Sequence, residues 1–322
     1  MSAAPASGSI QRLPPRALLM LAVMTLMWGA AWPIMKVGAQ EIEIFTFRAA
    51  AAFISAFTAF SLARATNSSL RVPRDVRVPL IAAGLLFQGA LAFFTTLALT
   101  LISSGHAVII GYTMPLWVVL LGIPILGERP TRLRWLGLAL GMVGVALLAS
   151  RGVELFVNAP LGVAAQLAGA VSWAVAVIIT KKVRWRMPMD VVLGWQCLIG
   201  GIPLAVLAIP ELPDLKPVTW MAIGAVLYLG ICAQGLGNCV WFRIIDMAPA
   251  GVAGVSSLAV PTVGLVIGSL MLDEPVGLIE VTALLLVLGA LATVLTLPTF
   301  RRRGLETKTT RNSRHPIDSA KK

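Results

Sequence analysis

The sequence is poor in charge. Only 12% of its 322 residues are Asp, Glu, Lys or Arg, while 58% are hydrophobic and the mean hydropathy is +0.88. A soluble chain carries about twice that charged share, so an ordinary soluble fold is excluded. Carboxylates are the scarcer sign, 14 against 26 Lys and Arg, and none lies in the middle of an apolar run. Proton-driven membrane pumps commonly use such a carboxylate, so its absence favours uniport or weak coupling. Cysteine is almost absent. Cys197, Cys232 and Cys239 all lie in apolar segments and form neither a metal spacing nor a disulfide framework. A phosphate-binding loop of the Walker type is missing, which argues against ATP hydrolysis by this chain. Ser256-Ser257 and His106 lack the surroundings of a nucleophilic serine. No enzyme activity, cofactor or metal is expected.

Long apolar runs are abundant. They predict ten membrane helices at about 16–37, 44–64, 78–101, 104–126, 133–150, 161–181, 189–209, 217–243, 250–272 and 278–297, each long enough to cross roughly 30 Å of hydrocarbon. The composition of 1–15 and 301–322 predicts disordered tails. No connection is long enough to fold as a soluble domain. The net charge of +12 sits in short loops and tails, so it reads as a topology signal, with no nucleic-acid partner expected. With ten spans and both termini in the cytoplasm, 22 of the basic residues lie inside and 4 outside, as the positive-inside rule requires.

The chain also repeats itself. Gly105, Ala107, Pro115, Gly122, Leu126 and Glu128 recur as Gly251, Ala253, Pro261, Gly268, Leu272 and Glu274, always 146 residues later. Gly84, Gln88 and Gly89 match Gly230, Gln234 and Gly235 at that offset, and Trp28 and Lys36 match Trp173 and Lys181 one residue off it. The two copies occupy 16–150 and 161–297, with five predicted helices each. Five is odd, so the second copy must enter the membrane in the opposite sense. The predicted fold is an all-α membrane protein of two inverted five-helix repeats, an architecture of secondary transporters with the substrate site near the midplane.

Candidate site residues follow from their place in the spans. Gln88, Gln234 and Asn238 are amides inside spans; they suit the ends of a zwitterion, and equally the joining of helices. Trp28, Tyr112, Trp117 and Trp173 are aromatic candidates for an apolar pocket wall. Pro115 and Pro261 each remove a backbone hydrogen bond inside a helix and are candidate hinges. Glu128 and Glu274 lie at helix ends and suit a structural or gating role. Lys36, Arg48 and His106 are the ionisable candidates on the path; Arg48 is placed where it would meet a carboxylate at the outer mouth. Gly137, Gly141 and Gly144 are read as close-packing positions.

Trp28-Gly29 with Lys36, Pro115 with Gly127-Glu128-Arg129, and the glycines of the fifth span resemble the EamA-type transporters of the drug/metabolite transporter superfamily, and among them the bacterial aromatic amino-acid exporters. The second half departs from this pattern, with Asp273-Glu274-Pro275 and with Ala283, Val287 and Ala290 in place of glycines, which suggests looser packing of the tenth helix. The resemblance implies a ten-helix bundle that exports amino acids or related small metabolites across a bacterial inner membrane. The expected partners are that small-molecule substrate and membrane lipid, and the expected assembly is a monomer. A channel-like facilitator or a membrane scaffold without alternating access is the alternative.

Overall fold

The computed structural model describes residues 15–39, 41–102, 107, 110–149, 159–214, 217–247, 260–261, 263–264, 267 and 277–295. These residues form helices and no strand. The helices are α1 (Pro15–Ala39), α2 (Ile44–Ala65), α3 (Arg74–Leu101), α4 (Met114–Leu126), α5 (Arg132–Ala149), α6 (Pro160–Lys182), α7 (Met189–Ala208), α8 (segments Trp220–Leu227, Tyr228–Gly237 and Asn238–Met247) and α9 (Leu278–Leu295). α9 covers the tenth predicted span. Val260, Pro261, Val263, Gly264 and Ile267 of the ninth are helical. The predicted tails, His106 and Glu274 lie outside the described residues, as does the Lys36 side chain. Among the described residues, five helices are long and apolar enough to cross a membrane: α2, α3, α6, α7 with its continuation to Pro213, and α8.

Local chemistry sets the helix ends. Pro160 occupies the first turn of α6, where a missing N–H costs nothing, and Lys181 and Lys182 occupy its last turn. The Thr219 side chain accepts from Ala222 N at 3.3 Å and caps α8. Gly127 ends α4 at φ 67°, a left-handed cap that glycine adopts without strain. The α2 start is capped from the other half of the chain: Glu211 accepts from Phe45 N at 3.1 Å, Thr46 N at 2.7 Å and Thr46 Oγ1 at 2.8 Å. Glu211→Ala therefore strips α2 of its cap. The expected loss is about 1–2 kcal/mol, to be read as a lower thermal midpoint in detergent.

The side chains are distributed inside-out relative to a soluble helix. On α2, Ala52, Ala56, Ala59 and Ala63 form a buried row, while Phe57 is 74% exposed. Small residues inward and large apolar residues outward are what lipid-facing helices need, because hydrocarbon exerts no hydrophobic force between helices and close backbone packing must hold them. α7 meets α2 with Gly201 against Ala52 of that row and Gly194 against neighbouring Phe60.

Helix pairing follows a twofold exchange of the halves. α2 packs on its counterpart α7, and α5 on its counterpart α9; α3 packs on α6 as α8 packs on α1, and α3 on α7 as α8 on α2. Direction is visible in the contacts. Phe60 lies by Gly194 and Ala52 by Gly201, so α2 and α7 run antiparallel. Gly84 lies by Gln196 and Gly89 by Pro203, so α3 runs parallel to α7. Gly230 lies by Ile54 and Gly235 by Thr58, the same relation for α8 and α2. The α5–α9 contact is close despite the missing glycines of the tenth span: Ala290 is fully buried, and a Cβ on Gly137 would collide with Thr293.

Two expectations change. The fourth span is not one unbroken helix, because Pro115 sits in the first turn of α4 and not in its middle. The chain turns at Tyr112 and Thr113, with Thr113 N donating to Ile110 O and Leu116 N to Thr113 O. In the first turn a proline forfeits no intrahelical hydrogen bond, because the N–H there has no partner, so a helix that starts at Met114 accommodates Pro115. The third and eighth spans are also interrupted, by π-helical turns at Leu85–Ala90 and Tyr228–Gly237.

Candidate functional site

The repeated Gly-x-x-x-Gln-Gly falls at those two π segments, with Gly84 immediately before the first and Gly230 inside the second. A π turn inserts a residue and loosens the hydrogen-bond ladder, and such turns are frequent at functional sites. Glycines on the neighbouring helix let the widened turn fit: a Cβ on Gly200 of α7 would come 2.6 Å from Gly84 O and 2.7 Å from Gly89 N. The turns bring equivalent residues together. Gln88 Nε2 donates to Gln234 Oε1 at 2.8 Å, a bond between residues 146 apart. Only a residue close to the pseudo-twofold axis can touch its own counterpart, so this pair marks the axis.

Tryptophans pack beside it. Trp28 lies 5.8 Å from Trp173, its partner in the repeat, and 5.5 Å from Trp241, in tilted or edge-on contact. Trp28 Nε1 donates to Ala233 O at 3.0 Å. That bond supplies an outside donor to a carbonyl in the α8 π segment, as a bilayer interior demands.

A cavity of about 160 Å³ opens against this group. At roughly 30 Å³ per water that is room for about five waters, so in this state it admits only part of an amino acid's bulk. Trp28, Gln88, Tyr112, Trp173, Gln234 and Asn238 line it, together with Arg48. Trp117 does not; it is half-buried on α4, with Nε1 donating to Thr113 Oγ1 at 3.3 Å. Arg48, expected at the outer mouth, stands on the cavity wall. Gln166 also faces the cavity, and Phe87, Leu91 and Leu229 give it apolar walls. Sequence reasoning missed these apolar members because nothing separates them from lipid-facing leucines and phenylalanines. Gln166 is legible in the sequence as one more amide inside a span, and Gly111 gives it room: a Cβ there would come 2.7 Å from Gln166 Nε2.

The other candidates lie apart. Pro261 is helical and buried, and neighbouring Val263 presses on Gly29 of α1. Glu128 follows the Gly127 cap, with its N donating to Gly122 O at 3.2 Å. At that end Lys181 donates to Ile245 O and, at 3.4 Å, to Asp246 O, a cation on the carbonyl end of α8. Asp246 and Glu128 are the carboxylates whose charge acts on it. Lys181, Asp246 and Arg184 line a second cavity, of about 430 Å³, away from the axis.

The chain matches the EamA-like transporter family twice, over residues 15–150 and 160–296. It is 26% identical to a probable amino-acid metabolite efflux pump of Escherichia coli, over 78% of this chain and 85% of that one. It is 30% identical to the aromatic amino acid exporter YddG of Ancylobacter novellus, over 62% of this chain and 69% of that one. A crystal structure 24% identical in sequence superposes with a TM-score of 0.77, over 87% of this chain and 96% of the other, and so shares the fold. With both halves matched and the halves exchanged about the Gln88–Gln234 pair, the chain belongs to the EamA-like transporter family.

Proposed function

We propose that this transporter exports small amphiphilic metabolites, neutral and aromatic amino acids among them, across a bacterial inner membrane by alternating access. The observation that carries the reading is the cavity on the repeat axis, where one guanidinium and several amides stand among tryptophans and aliphatic walls. Such a lining suits a solute with a polar head and an apolar side chain. The names of the two relatives point to the same solute class. Antiparallel packing of α2 on α7 supports inverted repeats, and the 22-to-4 distribution of basic residues supports ten spans with both termini in the cytoplasm.

On this reading 16–150 and 161–297 are two bodies that rock about the axis. Trp28, Gln88, Tyr112, Trp173, Gln234 and Asn238 contact the solute, and Trp117 joins them when α4 moves. Pro115 and Pro261 are the paired hinges. Glu128 and Glu274 close the two ends, with Lys181 and Lys36 as their repeat-related cations. The described lining holds no carboxylate, which supports uniport or weak proton coupling.

Counterflow in proteoliposomes tests the proposal. Preloaded neutral amino acid is expected to accelerate uptake of the labelled solute severalfold over empty vesicles, with little change when a pH gradient is imposed. Uptake without acceleration identifies a channel-like facilitator. No movement of any amino acid overturns the substrate assignment.

A further inference from the structure

Three buried polar atoms without a hydrogen-bond partner belong to side chains on this one cavity: Arg48 Nε, Gln166 Oε1 and Trp173 Nε1. Buried polar groups are almost always paired, and each exception asks for an explanation. They come from two helices, α2 for Arg48 and α6 for the others. Gln166 and Trp173 are seven apart, hence on one face of α6, with Trp173 roughly 10 Å further along the helix. Arg48 is also the one charged residue in the described lining, and no described carboxylate neutralises it there. An arginine held in a membrane at this cost is a functional group by default.

We propose that Arg48 and Gln166 are the head-group site of the transporter: the Arg48 guanidinium takes the carboxylate of an α-amino acid, and Gln166 Oε1 accepts from its ammonium. The proposal rests on the export reading and deepens it. The guanidinium fork matches a carboxylate in shape and charge, and the free amide oxygen supplies the acceptor an ammonium needs. The indole of Trp173, further along the same face, lies beyond the head-group site and packs on the solute's side chain. The site therefore takes a zwitterion and discriminates against an amine that lacks the carboxylate, because the fixed positive charge then faces a second one.

The test is counterflow by the full-length protein in proteoliposomes, using the better exchanged of L-phenylalanine and L-leucine and its two analogues, the amine without the carboxylate and the acid without the ammonium. Wild type is expected to exchange the amino acid about tenfold faster than either analogue. Arg48→Gln should lose about tenfold on the amino acid and on the acid and gain on the amine, from which it removes a like charge, while Arg48→Lys keeps part of the amino-acid and acid rates. Gln166→Leu should lose on the amino acid and the amine and leave the acid unchanged. Wild-type rates in Arg48→Gln, or an equal loss on all three solutes, overturn the head-group assignment and leave the export reading standing. A wild type that exchanges no amino acid overturns both. Monodisperse elution and an unchanged thermal midpoint verify that each variant is folded.

Discussion

Replacing both Gln88 and Gln234 by Leu lowers amino-acid counterflow by about a hundredfold, roughly tenfold for each lost amide, while leaving the bundle nearly as stable as wild type. The two amides bond to each other at 2.8 Å, which uses one donor of Gln88 and one acceptor of Gln234. Both side chains also line the cavity, and each keeps further hydrogen-bonding capacity. Removing one partner alone leaves the other without its bond, so Gln234→Leu, which strands the buried Gln88, should lose about 1–3 kcal/mol of stability, and Gln88→Leu, which strands the half-buried Gln234, less. The double variant removes both polar groups and restores most of that loss. Stability and transport thus move in opposite directions between single and double variants. If the amides only joined α3 to α8, transport would recover with stability. Thermal unfolding and counterflow on the same four proteins separate the cases, and a double variant with wild-type rates sinks the binding role.

Gly200→Val prevents assembly of the bundle, and Gly200→Ala lowers its thermal stability by about 1–3 kcal/mol. A Cβ at this position would meet Gln88 Cβ and Gly84 O at 2.6 Å and Gly89 N at 2.7 Å. Two of the three obstacles are backbone atoms of the α3 π turn, which cannot rotate away as a side-chain tip can. α7 would have to retreat, or the turn would have to regularise and carry Gln88 off the axis. Gly224 is the control, since a Cβ there meets nothing within 4 Å. Gly224→Ala should be neutral or stabilising, by up to about 1 kcal/mol from helix propensity. Equal midpoints for Gly200→Ala and Gly224→Ala would show that the π turn imposes no such constraint.

These predictions rest on features of unequal legibility. Gln88 and Gln234 could be paired from the sequence, since a fixed offset of 146 links them. Their bond could not, because an offset states equivalence and not distance. Only folding places the axis between them. Pro115 was visible as a repeat marker, but its structural place in the first turn of α4 depends on a corner that tertiary packing stabilises. Arg48 was visible as a charge near a helix start. Its position on the cavity wall depends on the rotation of α2, which is set by Ala52 and Phe60 against Gly201 and Gly194 of α7. Trp117 and Trp173 were indistinguishable as aromatic residues within spans; helix rotation put Trp173 on the cavity and Trp117 off it.

By itself, the sequence determined that this is a membrane protein of helices, that it consists of two related halves, and that it resembles EamA transporters. Each of those follows from local or periodic information: the length of apolar runs, the sidedness of basic residues, and recurrence at a constant offset. The tertiary structure alone decided which repeated residues meet, where the helices widen into π turns, and which polar atoms remain unpaired on one cavity. Those outcomes depend on helix rotation and depth, which in lipid are set by the close fit of small residues between neighbouring helices. Hydrophobic patterning does not encode them, because both faces of such a helix are apolar.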